Sequence, residues 1–214
     1  MSVDLPEADV LVAGATAAHE RLGTTIAGVT DDVARRPSLL PDWTVGHVLT
    51  HIARNADSHV RLLEGALAGE TRTQYPGGTE QRAADIETGS ARPAEQLVAD
   101  VRDSALRLEA TWAAMTEAAW RGGGVFDDRT PWPAPLIVAH RWREVEVHHA
   151  DLGLGYGPQD WPDDYVATEL ARQLSGLVHR VDGGRRRHLL AWLLGREPQP
   201  ALDALLQDRT TFRV

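Results

Sequence analysis

Several separated stretches of this chain space their apolar residues three and four apart, and none keeps up an apolar–polar alternation. The chain is therefore committed to helices that must bury one face against one another. The clearest stretch opens at Thr44, whose hydroxyl suits a helix N-cap. It runs to about Gly69 with Val45, Val48, Leu49, Ile52, Ala56, Val60, Leu63 and Leu67 on its apolar side. Three further long helices are predicted. The first lies over about residues 7–30, with Leu11, Ala15, Ala18, Leu22, Ile26 and Val29 as its stripe. Another follows Pro93 with Leu97, Val98, Val101, Ala105, Leu108, Trp112 and Met115, ending near Trp120, and the last covers about Ala134 to Asp151.

Between and beyond these lie shorter elements. A turn of helix fits residues 30–36, and a polar helix fits Thr79 to about Thr88. The glycines at 122–124 and the prolines at 131, 133 and 135 read as a hinge and a stiff lead-in. Near the end, a helix is expected over Asp163 to Val181 with Val166, Leu170, Leu174, Leu177 and Val178 inward. A short one is expected over residues 185–195, and one more turn after Pro200. Trp43 reads as a plug under the bundle end, and Trp112, Trp132, Trp142 and Trp192 as core. The expected architecture is all-α: an up-and-down type four-helix bundle over residues 1–160, with a short helical C-terminal extension, 161–214, packed on it.

Charge and composition narrow the partners. Every one of the 22 basic residues is Arg, and 31 acidic residues bring the formal charge to -9, which repels nucleic acid and anionic membrane surfaces. With no cysteine, thiolate metal sites and disulfides are excluded, and any sulfur chemistry must use a thiol brought by a small molecule. No signal-like N-terminus and no run of 18 apolar residues occurs, so a cytoplasmic monomer or homodimer is expected.

The chemistry concentrates in two helical stretches. Residues 139–151 read Ala-His-Arg-Trp-Arg-Glu-Val-Glu-Val-His-His-Ala-Asp, which stacks Glu144 and His148 on one face at i and i+4, where a carboxylate and an imidazole can grip one ion. Such a pair also occurs as a weak contact on a solvated face, but His140 and His149 lie beside it, and His47 and His51 share another helix face almost a hundred residues earlier. Spacing alone allows either of those two, or both, as further ligands. Three protein ligands would leave an open position on the metal, whereas four would close the shell and make the ion structural. With only nitrogen and oxygen donors, zinc is the first choice, and nickel, iron or manganese also suit. Glu146, two residues from Glu144, points off the ligand face.

Three motifs then carry a likeness. Leu40-Pro41-Asp42-Trp43-Thr44-Val45-Gly46-His47-Val48-Leu49-Thr50-His51-Ile52-Ala53-Arg54-Asn55, Glu80-Gln81-Arg82-Ala83-Ala84-Asp85-Ile86-Glu87 and Arg143-Glu144-Val145-Glu146-Val147-His148-His149-Ala150-Asp151-Leu152-Gly153 resemble the mycothiol-dependent maleylpyruvate isomerases, a branch of the DinB-like metal-binding bundles, over about residues 8–165. The resemblance implies His51, Glu144 and His148 as zinc ligands, which leaves His47 as a histidine near the helix start that is solvated or hydrogen-bonded. It implies mycothiol as the thiol cofactor and conversion of maleylpyruvate to fumarylpyruvate by thiolate addition, rotation and elimination. It also implies Arg82 near the pocket mouth, facing an anionic substrate. Asn55 lies one turn beyond His51 on the ligand face, so Asn55 and Arg82 are the expected catalytic residues, and Arg54, Asn55 and Arg82 the expected cofactor contacts, with Asp151 a further acceptor behind the metal. Isomerases of this family can carry a fuller α/β domain, whereas only about fifty residues follow Trp161 here. That difference keeps two alternatives in view: a mycothiol S-transferase using the same centre on another electrophile, and a non-enzymatic metal-binding bundle.

Overall fold

The computed structural model describes residues 5–126, 130–181 and 183–194. In order, they form α1 (Ala8–Ile26), α2 (Asp31–Ala34), α3 (Val45–Leu67), α4 (Gly78–Ser90), α5 (Ala94–Ala114), α6 (Glu117–Trp120), β1 (Gly123–Phe126), β2 (Thr130–Pro133), α7 (Ala134–Asp151), a 3-10 turn (Pro158–Asp160), α8 (Asp163–Arg180) and α9 (Gly183–Leu193). The chain divides into two compact units, residues 4–166 and residues 167–214 with 1–3. The expected turn after Pro200 lies outside the described residues, as do the side chains of Arg185 and Trp192.

The larger unit is a four-helix bundle. Helix α3 packs against α5 and α7, and α1 closes the ring against both of these. Its core is aliphatic: Leu11, Leu22 and Ile26 from α1, Leu49, Ile52, Leu62 and Leu63 from α3, Leu97 and Leu108 from α5, and Ile137 and Val138 from α7. Each such side chain contributes about 1.5–3 kcal/mol when fully buried. Gly14 permits the α1–α7 contact, because a Cβ there would stand 2.4 Å from the Trp142 ring. Gly46 does the same where the end of α4 crosses the start of α3, its would-be Cβ lying 2.3 Å from the Ser90 carbonyl oxygen. That crossing holds α4, and so Arg82, against the helix that carries His51.

Thr44 caps α3 as its sequence predicts, in a reciprocal box whose other half is unusual. The Thr44 hydroxyl accepts from the His47 backbone N–H, and the Thr44 N–H donates to His47 Nδ1 at 3.2 Å. The preceding loop is tightly closed. Ser38 N–H donates to the Trp43 carbonyl at 2.8 Å, Asp42 takes a left-handed backbone (φ 63°), and Leu39 N–H donates to the Asp151 carbonyl at the end of α7, also at 2.8 Å.

The structure corrects three expectations. The glycine hinge and proline lead-in form an antiparallel ribbon, with Gly123 opposite Pro133 and Phe126 opposite Thr130. Its strands are too short, and too rich in Gly and Pro, to show alternation. The third long helix stops at Ala114, and Thr116 caps a separate turn, α6. On α8, Val166, Leu170 and Leu174 are exposed rather than inward, Leu170 by 52%. Periodicity identifies the apolar side of a helix, not what covers it. Among the described residues no helix is long and apolar enough to cross a membrane.

Candidate metal centre

Helix α7 is buried on most of its faces, and its polar side chains must therefore find partners inside the protein. Glu144 finds them on two helices. Its Oε2 lies 3.2 Å from His51 Nε2 on α3 and 3.6 Å from His148 Nε2 one turn along α7. Asn55 Nδ2 also donates to Oε2, at 3.3 Å. The two imidazoles meet edge to face, with centroids 4.5 Å apart.

These three residues form the one group of potential metal ligands found among the described residues, with ligand atoms all within 4.8 Å of one another. Tetrahedral zinc with ligands about 2.0–2.1 Å away sets neighbouring ligand atoms about 3.3–3.4 Å apart. The two edges at Glu144, 3.2 and 3.6 Å, straddle that spacing, and the three ligand atoms all lie within 4.8 Å of one another, so the donor set suits a small divalent ion.

The surroundings fit as well. Asp151 Oδ2 lies 2.8 Å from His148 Nδ1, and the imidazole N–H directed at this carboxylate leaves Nε2 for the ion. Burial works against a charge on His148, yet the Asp151 and Glu144 carboxylates outweigh it and raise its pKa to about 9. His51 is 2% exposed; burial, with His148 beside it, lowers its pKa to about 4. Glu144 is held well below the usual carboxylate range: burial opposes ionisation, but His140, His148 and His51 together prevail.

His47 takes no part. Its Nδ1 is engaged by Thr44, and its Nε2 lies 3.3 Å from Glu87 Oε2. Arg54 is likewise occupied elsewhere, by Asp57 and Asp100. Arg82 does reach the cluster: its Nη2 lies 3.1 Å from His51 Nδ1, with the guanidinium 6.0 Å from the Tyr75 ring centre. Because arginine only donates, His51 Nδ1 must be the acceptor, and the ring proton sits on Nε2, facing Glu144. An ion held on Nε2 would require that proton on Nδ1, where Arg82 could no longer donate to it. Trp43 is half-buried and packs against the core as expected, and its ring also stands edge-on to His51, centroids 5.8 Å apart.

Glu146 is sealed off the ligand face as expected, accepting from Arg21, Tyr156 and Trp142 Nε1. Two features escaped the sequence. Tyr75 flanks Arg82 from a loop that has no periodicity to place it. Arg141 is fully buried and contacts Asn55; its i−3 offset from Glu144, two residues after the apolar run Ile137-Val138-Ala139, is the signal that could have found it.

Residues 15–153 match the model of a family described as the mycothiol maleylpyruvate isomerase N-terminal domain. Among solved structures, the chain is similar to a mycothiol-dependent maleylpyruvate isomerase, with 28% identity, a TM-score of 0.72, and 78% of this chain and 70% of that one covered. A histidine-to-alanine mutant of such an isomerase is similar at 27% identity with the same TM-score and coverage. No curated protein matches significantly.

Proposed function

The chain belongs to the mycothiol maleylpyruvate isomerase N-terminal domain family, and from that premise we propose that it is a mycothiol-dependent cis-trans isomerase of the maleylpyruvate type, built on a zinc centre at His51, Glu144 and His148. The observation that carries the reading is the convergence of two imidazoles from different helices on one carboxylate oxygen, at 3.2 and 3.6 Å. His140 Nε2 lies 3.5 Å from the other Glu144 oxygen, Oε1, outside the group whose ligand atoms all lie within 4.8 Å of one another, which supports three protein ligands and an open position for a guest.

A divalent ion held there supplies the charge that favours the thiolate form of mycothiol at neutral pH, the form that adds to an electron-poor alkene, allows rotation and leaves again. The chain's own residues do the rest. Asn55 holds the Glu144 oxygen that faces both histidines. Asp151 fixes the His148 ring so that Nε2 points inward. Arg82, on the far side of His51, offers a planar cationic fork to a substrate carboxylate once it leaves Nδ1. Trp43 keeps bulk water from one side of the His51 ring.

A second reading is a mycothiol S-transferase with the same centre. The family match spans residues 15–153, which carry all three ligands, and does not specify the electrophile. Elemental analysis of the purified protein, followed by ultraviolet assay of maleylpyruvate with and without mycothiol, tests both. Stoichiometric zinc and thiol-dependent isomerisation with the thiol returned supports the first reading, and a stable thioether product supports the second. Absence of metal refutes the centre.

A further inference from the structure

Behind the candidate centre lies a cation that the chemistry above does not use. Arg141 has 0% of its surface exposed, and none of its hydrogen bonds goes to a carboxylate. Its Nη1 donates to the Ile52 carbonyl at 2.9 Å and to Asn55 Oδ1 at 2.8 Å, and its Nε donates to His19 Nε2 at 3.0 Å. Its Nη2 has no acceptor among the described residues. A sealed charge that meets only neutral acceptors is costly, and a core that needed only volume at this position would carry an apolar side chain.

The arrangement has a direction. Arginine cannot accept a hydrogen bond, so its contact with Asn55 settles which way the amide lies: Oδ1 faces Arg141, and Nδ2 is forced toward Glu144 Oε2. That oxygen is the one both histidines face. The outer end is fixed by the same logic. His19 Nε2 must accept from Arg141, so its proton sits on Nδ1, 2.7 Å from Glu109 Oε1. The chain Glu109–His19–Arg141–Asn55–Glu144 thus takes one or two members from each of α5, α1, α7 and α3 and ends on a carboxylate oxygen of the candidate centre.

We propose that Arg141 is the positioning residue of the metal centre: by holding Asn55 with its amide nitrogen toward Glu144, it fixes the carboxylate oxygen that completes the site. This rests on the metal-centre reading above. It assigns Arg141 no contact with substrate or thiol, and it makes the Asn55 amide the only route by which Arg141 acts.

The test is zinc affinity, measured with zinc ion alone against a chromophoric chelator, in Arg141→Met, Asn55→Ala and the double variant, with melting temperatures recorded alongside. Each single change should weaken zinc binding about 10- to 100-fold, the usual effect of removing a partner from behind a ligand. The double variant should be no weaker than the worse single one, because both break the same link. Should Arg141→Met fail to fold, Arg141→Lys serves in the same cycle: its affinity should fall at least about threefold, and that loss should vanish on the Asn55→Ala background. A folded Arg141 variant with wild-type zinc affinity, or losses that multiply in the double variant, overturns the proposal. A merely structural arginine would lower the melting temperature and leave zinc affinity unchanged. If the wild-type chain takes up no zinc, the metal centre itself has failed; if it does and the Arg141 variants match it, only the present inference falls.

Discussion

Loading the centre should release one proton, and the structure identifies which. Glu144, held well below its ordinary range, is already ionised at neutral pH, and His51, lowered to about 4, is already neutral. His148, raised to about 9, is the ligand that still carries a proton it must give up. At pH 7 that proton is about two units from its pKa, so its displacement costs the incoming ion about 3 kcal/mol. Zinc affinity should therefore rise about tenfold per pH unit between pH 6 and 7.5. Chelator competition across that range measures the slope, and calorimetry in buffers of different ionisation enthalpy counts the proton directly. Asp151→Asn removes the carboxylate whose hydrogen bond is the largest single influence raising His148, and should flatten the slope. The sign for the metal-free fold is opposite. Its stabilisation by charged His148 is complete below about pH 6.5 and is lost as pH rises through about 9, which is where zinc should protect most. An affinity that does not change over this pH range, or that releases two protons, would refute the reasoning.

Other outcomes follow from the same geometry. His51→Ala should lose metal and activity together, whereas His47→Ala should keep both and cost about 0.5–2 kcal/mol through the weakened cap on α3, read by chemical denaturation. Arg82→Ala should raise the KM for an anionic substrate and leave zinc content intact. His19, lowered by burial to about 4, takes up a proton in the unfolded chain before the folded one. Stability should fall by about 3 kcal/mol as pH drops from about 6.5 through 4, and His19→Gln should lessen that loss. Gly14→Ala should destabilise by about 1–3 kcal/mol, because its methyl group must displace the Trp142 ring, and a thermal melt would show it.

What was legible in the sequence was what periodicity and spacing encode. The stripes of α1, α3 and α5 are core for most of their length, although Leu67 at the end of α3 is exposed, and the i, i+4 pair of Glu144 and His148 does share a face. Spacing could not choose between His47 and His51, since both lie one turn apart on α3. The choice is made by Thr44, which occupies His47 Nδ1, and by α7, which brings Glu144 to His51. Arg54 shows a related limit: nearness in sequence to His51 does not disclose Asp100, a partner on another helix. Arg141 was passed over, despite its offset from Glu144, because a cation beside a metal motif reads as surface or substrate contact. Only the packed bundle reveals that it has no surface at all. The ribbon of β1 and β2 was missed because four-residue strands built on Gly and Pro hold their pairing through backbone alone.

The short loop before α3 touches both halves of the centre, through Trp43 on the His51 ring and through the Leu39 amide on the last carbonyl of α7. One strap therefore bridges, beside their direct packing, two helices whose ligand side chains are distant in the chain. Lengthening it by a residue would leave every ligand present and every helix intact, yet let the jaws of the clamp drift apart. For anyone redesigning this bundle, the loop at 38–43 is thus the place where metal grip can be tuned without touching a ligand.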